Sequence, residues 1–113
     1  MNIWEQLAIY VDESDRWHGK PVYLALVEVA CQQSLAGATA TRGIAGFGER
    51  QYHRIHTAQI LELSSDLPIV VTVIDRAEAI ANFLPVVREM VKNGLVTQQS
   101  VTVVHHASNG SAN

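Results

Sequence analysis

The chain has 113 residues, of which 48% are hydrophobic and only 17% charged, with a formal net charge of −3. That length predicts one domain, residues 1–106, and the acidic balance argues against a nucleic-acid partner, which would call for a basic stripe. A lone cysteine, Cys31, excludes an internal disulfide and points to a reducing compartment.

Residues 4–11 alternate as a strand, with Leu7, Ile9 and Val11 on one face and Ala8 and Tyr10 on the other. Glu5, Asp12 and Glu13 interrupt this first apolar run, so it does not read as a signal peptide. No run reaches the roughly 18 apolar residues of a membrane span. The expectation is a cytoplasmic protein with no direct membrane insertion. Residues 12–21, D-E-S-D-R-W-H-G-K-P, read as a loop. Pro21 is placed to open a helix as its first residue. Val22, Leu26, Val29 and Ala30 then recur at helical spacing, with Tyr23 and Val27 widening the stripe. Cys31 falls on that stripe as a small buried residue, and Gly37 is a natural helix stop.

Residues 38–42 form the second predicted strand, Ala38 and Ala40 facing one way and Thr39 and Thr41 the other. Residues 57–63 read as an arm extending from the sheet. Residues 69–74, β-branched and apolar except for Thr72, are the clearest strand. Asp75 and Glu78 have capping-box spacing and predict a helix from Arg76, with a stripe of Ile80, Leu84, Val87 and Val91, a kink at Pro85 and a stop at Gly94. Residues 100–105 are the last predicted strand, and residues 107–113 read as a disordered tail. Trp4 and Trp17 read as packing residues.

This order predicts an α+β, ferredoxin-like βαββαβ plan: a four-stranded antiparallel sheet with two helices on one face and a long excursion at residues 43–57. The uncovered face would carry Val70, Ile74 and Val104 with Thr72 and Thr102, too apolar to leave in water. Low charge and modest size agree in predicting a symmetric oligomer that packs these faces together.

Connections longer than about 12–15 residues without structure of their own usually carry function or are disordered. Arg42, Gly43, Gly46 and Gly48 suit an anion, because glycines let backbone N–H groups approach an oxyanion and arginine forks onto phosphate; the same residues also serve a plain turn. His53 and His56, with Glu49, offer an alternative as metal ligands or are ordinary polar loop residues. His105 and His106 are adjacent, so their rings would point to opposite strand faces. Lys20, beside His18 and Gly19, either meets a phosphate or belongs to a simple helix start. No Ser or Cys has an adjacent His base in a recognisable arrangement, so an enzyme is not expected.

The run A-T-A-T-R-G-I-A-G-F-G at 38–48 resembles the PII signalling family, in which such a strand opens into a long T-loop. With E-S-D-R-W-H-G-K-P, R-I-H-T-A-Q-I-L-E-L-S-S-D-L-P-I-V-V and M-V-K-N-G-L-V-T in the same order, the chain is similar to the PII-like branch designated domain-of-unknown-function group 190. The resemblance implies a ferredoxin-like homotrimer that binds an adenine nucleotide (AMP, ADP, ATP or a cyclic nucleotide) between subunits. Its loops would contact a membrane transporter or an enzyme. It places Gly37, Ala38 and Thr39 along the adenine and Gly46 and Gly48 at the loop base near phosphate; Arg42, Gly43 and Phe47 of the same run are ligand-binding candidates with them. Residues 94–100 stand in the place of the family's B-loop but lack its glycines and lysine, which leaves Gly94 and Thr97 as phosphate contacts beside Lys20. Glu49, Arg50, Tyr52, His53, Arg54 and His56 would form the partner-contacting loop. No divalent metal is assigned.

Overall fold

The computed structural model describes residues 2–46 and 67–107. Strand β1 (Asn2–Asp12) leads into two short strands, β2 (Arg16–Trp17) and β3 (Lys20–Pro21), then helix α1 (Val22–Gln32) and strand β4 (Gly37–Arg42). Strand β5 (Pro68–Asp75), helix α2 (Ala77–Met90) and strand β6 (Leu95–Val103) complete it. The main sheet has the order β4-β5-β1-β6, antiparallel throughout. With the two helices on one face, this is the ferredoxin-like arrangement.

The register explains the core. Leu7 lies opposite Val73, Ile9 opposite Val71 and Val11 opposite Ile69, so one face of the two central strands is continuous hydrocarbon. Val22, Ala25, Leu26 and Ala30 of α1 and Ile80, Phe83, Val87 and Met90 of α2 close over it. Burial of each large side chain contributes about 1.5–3 kcal/mol. On the other face Tyr10 lies opposite Val70, Ala8 opposite Thr72 and Gln6 opposite Ile74. Thr102 does not belong to that face: it pairs with Ile3, on the helix-side set of β1, and Val104 lies beyond the end of β6.

Several boundaries depart from the sequence reading. Residues 16–21 form a hairpin, not a loop, turned at His18 and Gly19, whose φ values of 50° and 87° are those of the tight turns that match strand twist. Pro21 is the residue before the first turn of α1, extended at ψ 133°, rather than the first helical residue. Gly37 does not stop α1. The helix ends at Gln32, and Ser34, at φ 62°, takes the left-handed position, while Leu35 N–H donates to Ala30 O and Ser34 N–H to Cys31 O, each at 3.0 Å. That pair of bonds is a Schellman closure, built here on serine. Ser34→Gly is therefore expected to raise stability by up to about 1 kcal/mol, read as a higher urea midpoint with an unchanged slope; a lower midpoint would contradict this account of the helix end. Cys31 is exposed rather than buried.

In α2 the buried stripe runs through Ile80, Phe83, Val87 and Met90, with Leu84 and Val91 only partly buried. Arg76, not Asp75, occupies the capping position, with no side-chain cap. Strand β6 begins at Leu95, five residues before the predicted start. Glu5 on β1 explains this: its carboxylate accepts from Gln98 Nε2 at 3.2 Å, within the stretch before the predicted strand, and from Ser100 Oγ at 2.8 Å. His105 lies past the strand. The predicted arm at 57–63 and the tail from 108 onward lie outside the described residues.

Candidate functional site

Strand β4, which carries Gly37, Ala38, Thr39 and Arg42, forms one edge of the sheet. Its start is held by Asp75, a buried carboxylate whose Oδ2 accepts from Ala36 N–H at 2.9 Å and whose Oδ1 accepts from Arg76 N–H at 2.6 Å. Asp75 therefore joins the turn before β4 to the start of α2. Further along, the Thr39 carbonyl accepts from the Thr72 hydroxyl at 3.5 Å on the uncovered face.

At its far end β4 meets a clamp that the sequence reading did not find. Arg42 forms an ion pair with Glu13 Oε2, while Glu13 Oε1 accepts from Leu67 N–H at 3.3 Å and Glu13 N–H donates to Leu67 O at 3.0 Å. Gly43 N–H donates to Pro68 O at 2.8 Å. Glu13 is the second residue of a turn closed between Asp12 and Asp15: Asp12 N–H donates to Asp15 Oδ2 at 3.0 Å and Asp15 N–H to Asp12 O at 3.1 Å. One carboxylate thus touches both the residue leaving β4 and the residue returning to β5. Close approach decides Gly43, where a Cβ would lie 3.1 Å from Pro68 Cγ. The signal for Glu13 lay in the E-S-D-R-W-H-G-K-P phrase, which marks position but not contact.

The remaining predicted contacts lie elsewhere. Lys20 is paired with Glu28 of α1 at 2.7 Å, an exposed bridge of the kind that contributes about 0–1 kcal/mol. Gly94 and Thr97 sit at the start of β6, the opposite edge of the sheet. Three strand spacings, about 14 Å in all, separate that edge from β4. The β6 edge borders a groove of ≈ 250 Å³ against α2, lined by Leu84, Val87, Arg88, Val96 and Gln98 among others. Within one chain, then, Gly37, Ala38, Thr39 and Arg42 follow one another along the β4 edge, with Gly43 and Gly46 beyond its end against Pro68, while Gly94, Thr97 and Lys20 do not join them. Phe47, Gly48 and the whole expected contact loop, Glu49, Arg50, Tyr52, His53, Arg54 and His56, lie outside the described residues.

The two tryptophans pack, as expected. Trp4 is buried, with Arg76 4.8 Å over its ring and His106 edge-on at 5.1 Å. Trp17 stacks on His18 at 4.1 Å. Among the described residues no group of three or more His, Cys, Asp or Glu is placed to hold a metal ion, and no helix is long and apolar enough to cross a membrane.

A family model, DUF190, described as "Uncharacterized ACR", matches residues 4–103. The chain belongs to the DUF190 family. This DUF190 chain is 39% identical over 99 residues to a UPF0166 protein of Aquifex aeolicus, covering 88% of its own length and 91% of the relative's. It is 33% identical over 91 residues to the UPF0166 protein MJ1524 of Methanocaldococcus jannaschii, covering 80% and 82%. Among solved structures, it resembles CPII bound to ADP and bicarbonate, from Thiomonas intermedia K12, with a TM-score of 0.58, 14% identity and coverage of 92% and 91%. The DUF190 chain therefore has the ferredoxin-like fold of a PII protein.

Proposed function

We propose that this DUF190 protein is a PII-like regulator, not an enzyme: a homotrimer that binds an adenine nucleotide between subunits and thereby alters how residues 43–57 meet a transporter or an enzyme. The observation that carries this reading is the split of the candidate contacts between opposite sheet edges. Residues 37–43 and residues 94–97 cannot grip one small ligand within a chain about 14 Å across at that level, but the β6 edge of one copy set against the β4 edge of the next would complete a cleft. The uncovered face, with Val70, Ile74, Ala8 and Tyr10, supplies apolar surface for such an assembly. CPII, similar in fold, binds ADP, and that supports a nucleotide of this class here. A ligand regulates only through unequal affinity for two states of the protein, so the nucleotide must bind one arrangement of the loop base more tightly than the other.

Two measurements test the reading. Light scattering is expected to give three copies of the 12.4 kDa chain. Calorimetry with AMP, ADP, ATP and cyclic AMP, with and without Mg²⁺, is expected to give saturable binding of at least one of them. A monodisperse monomer, or no heat with any of the four, overturns the reading.

A further inference from the structure

Arg42 already holds an anion, and that anion belongs to the chain. The guanidinium is more than half exposed and its partner Glu13 is three-quarters covered, so the pair sits at the mouth of the clamp and not within the core. A guanidinium offers its fork to carboxylate or phosphate through the same donors, so the two compete for it. The Glu13 carboxylate is also committed on its other oxygen, to Leu67 N–H.

We propose that Glu13 is an internal competitor for the anion site at Arg42: a polyphosphate takes Arg42 by displacing the Glu13 carboxylate, and the displaced carboxylate releases the Leu67 N–H, while the bond from Glu13 N–H to Leu67 O remains. This rests on the preceding reading in placing a ligand's phosphates beside Arg42. It adds a coupling device, because the carboxylate displaced by the ligand is one of the groups that join Arg42 to Leu67, beside the backbone bonds from Glu13 N–H to Leu67 O and from Gly43 N–H to Pro68 O. It also adds selectivity by charge. Phosphate and carboxylate both fork onto a guanidinium, but a di- or triphosphate carries more negative charge than the single phosphate of AMP, so ADP and ATP displace Glu13 more readily than AMP does. Glu13 is thus a positioning residue for Arg42 and Leu67, and its cost falls on every ligand that needs Arg42.

Inorganic pyrophosphate is the probe, because it needs the anion site and not the adenosine cleft. Glu13→Gln keeps a carbonyl acceptor for Leu67 N–H and removes the charge that holds Arg42. It is expected to bind pyrophosphate about two- to fivefold tighter than the natural chain, the range of an exposed ion pair. Arg42→Gln should weaken binding, and the Glu13→Gln, Arg42→Gln double variant should bind no tighter than Arg42→Gln alone. In the natural chain, pyrophosphate should speed hydrogen exchange at the Leu67 amide. If Glu13→Gln binds pyrophosphate no better than the natural chain, including the case in which neither binds, or if the double variant keeps the gain, the competition is overturned. If the pyrophosphate results hold but ADP binds no tighter than pyrophosphate, the competition stands and the adenine-nucleotide reading falls.

Discussion

Gly94→Ala is expected to cost about 2–4 kcal/mol, the largest loss among the substitutions considered, because two penalties coincide at this residue. Its φ of 141° is one that side-chain-bearing residues rarely adopt, and a Cβ there would stand 2.3 Å from the Tyr10 carbonyl oxygen. That neighbour is backbone in the middle of the sheet, beside the Tyr10–Leu95 pair that starts the β1–β6 ladder. It cannot swing aside as a flexible side chain would, so relief must come from parting β6 from β1. Gly19→Ala is the control. Gly19 also has positive φ, 87°, but a Cβ there meets nothing within 4 Å, so only the conformational cost of about 1 kcal/mol applies. Urea denaturation of both variants checks the pair; equal losses would show that the approach of residue 94 to Tyr10 is not as described. Because Gly94 opens the β6 edge of the proposed cleft, the variant should also bind nucleotide less well.

Asp75→Ala is expected to cost about 1.5–3 kcal/mol. The carboxylate is 6% exposed and accepts from two backbone N–H groups, at Ala36 and Arg76, and removing it takes the charged acceptor from both donors at once. Asp75→Asn retains an acceptor oxygen and should lose roughly half as much, since a neutral amide makes weaker bonds and presents an NH₂ where an acceptor stood. Hydrogen exchange at the Ala36 amide separates this account from a general loosening: Asp75→Ala should raise it far more than exchange at Val71 in the centre of the sheet. Equal increases at both would contradict the role given to Asp75. The effect bears on function because Ala36 directly precedes the strand that carries Gly37, Ala38 and Thr39.

Glu13 and Asp75 act alike. Each is a carboxylate at an end of a central strand that reaches across to an end of β4, one to Arg42 and the other to Ala36. Among the described residues strand β4 pairs only with β5 in the main sheet, so these contacts at its two ends supplement a single ladder of backbone bonds.

How much of this was legible in the chain follows from which interactions are local. Alternation in residues 4–11 set Leu7, Ile9 and Val11 on one face, which is the core face, and helical spacing grouped Val22 with Leu26 and Ile80 with Val87, all buried, because a period of 2 or 3.6 is set by backbone geometry within a few residues. The order of those elements was enough for the ferredoxin-like plan, and the glycine-rich phrase at 38–48 was enough for the family. Local chemistry misled where a distant partner outbid it. Asp75 has the spacing of a capping box with Glu78, yet its oxygens go to the Arg76 amide and to Ala36, 39 residues away. Residues 95–99 precede the predicted strand, yet Glu5 and the open edge of β1 draw them into β6. Gly37 looks like a helix stop, yet Ser34 closes α1 and leaves Gly37 to pair with Ile74.

By itself, then, the sequence determined the secondary-structure plan, the core faces and the family, since each depends on neighbours along the chain or on a matched phrase. Only the tertiary structure decided that Glu13 bridges Arg42 and Leu67, that Asp75 secures the approach to β4, and that Gly94 and Thr97 lie on the edge opposite Arg42. Those depend on which chain ends the sheet brings side by side, and a hydrogen bond or ion pair acts over a few ångströms of space, whatever the number of residues between its partners.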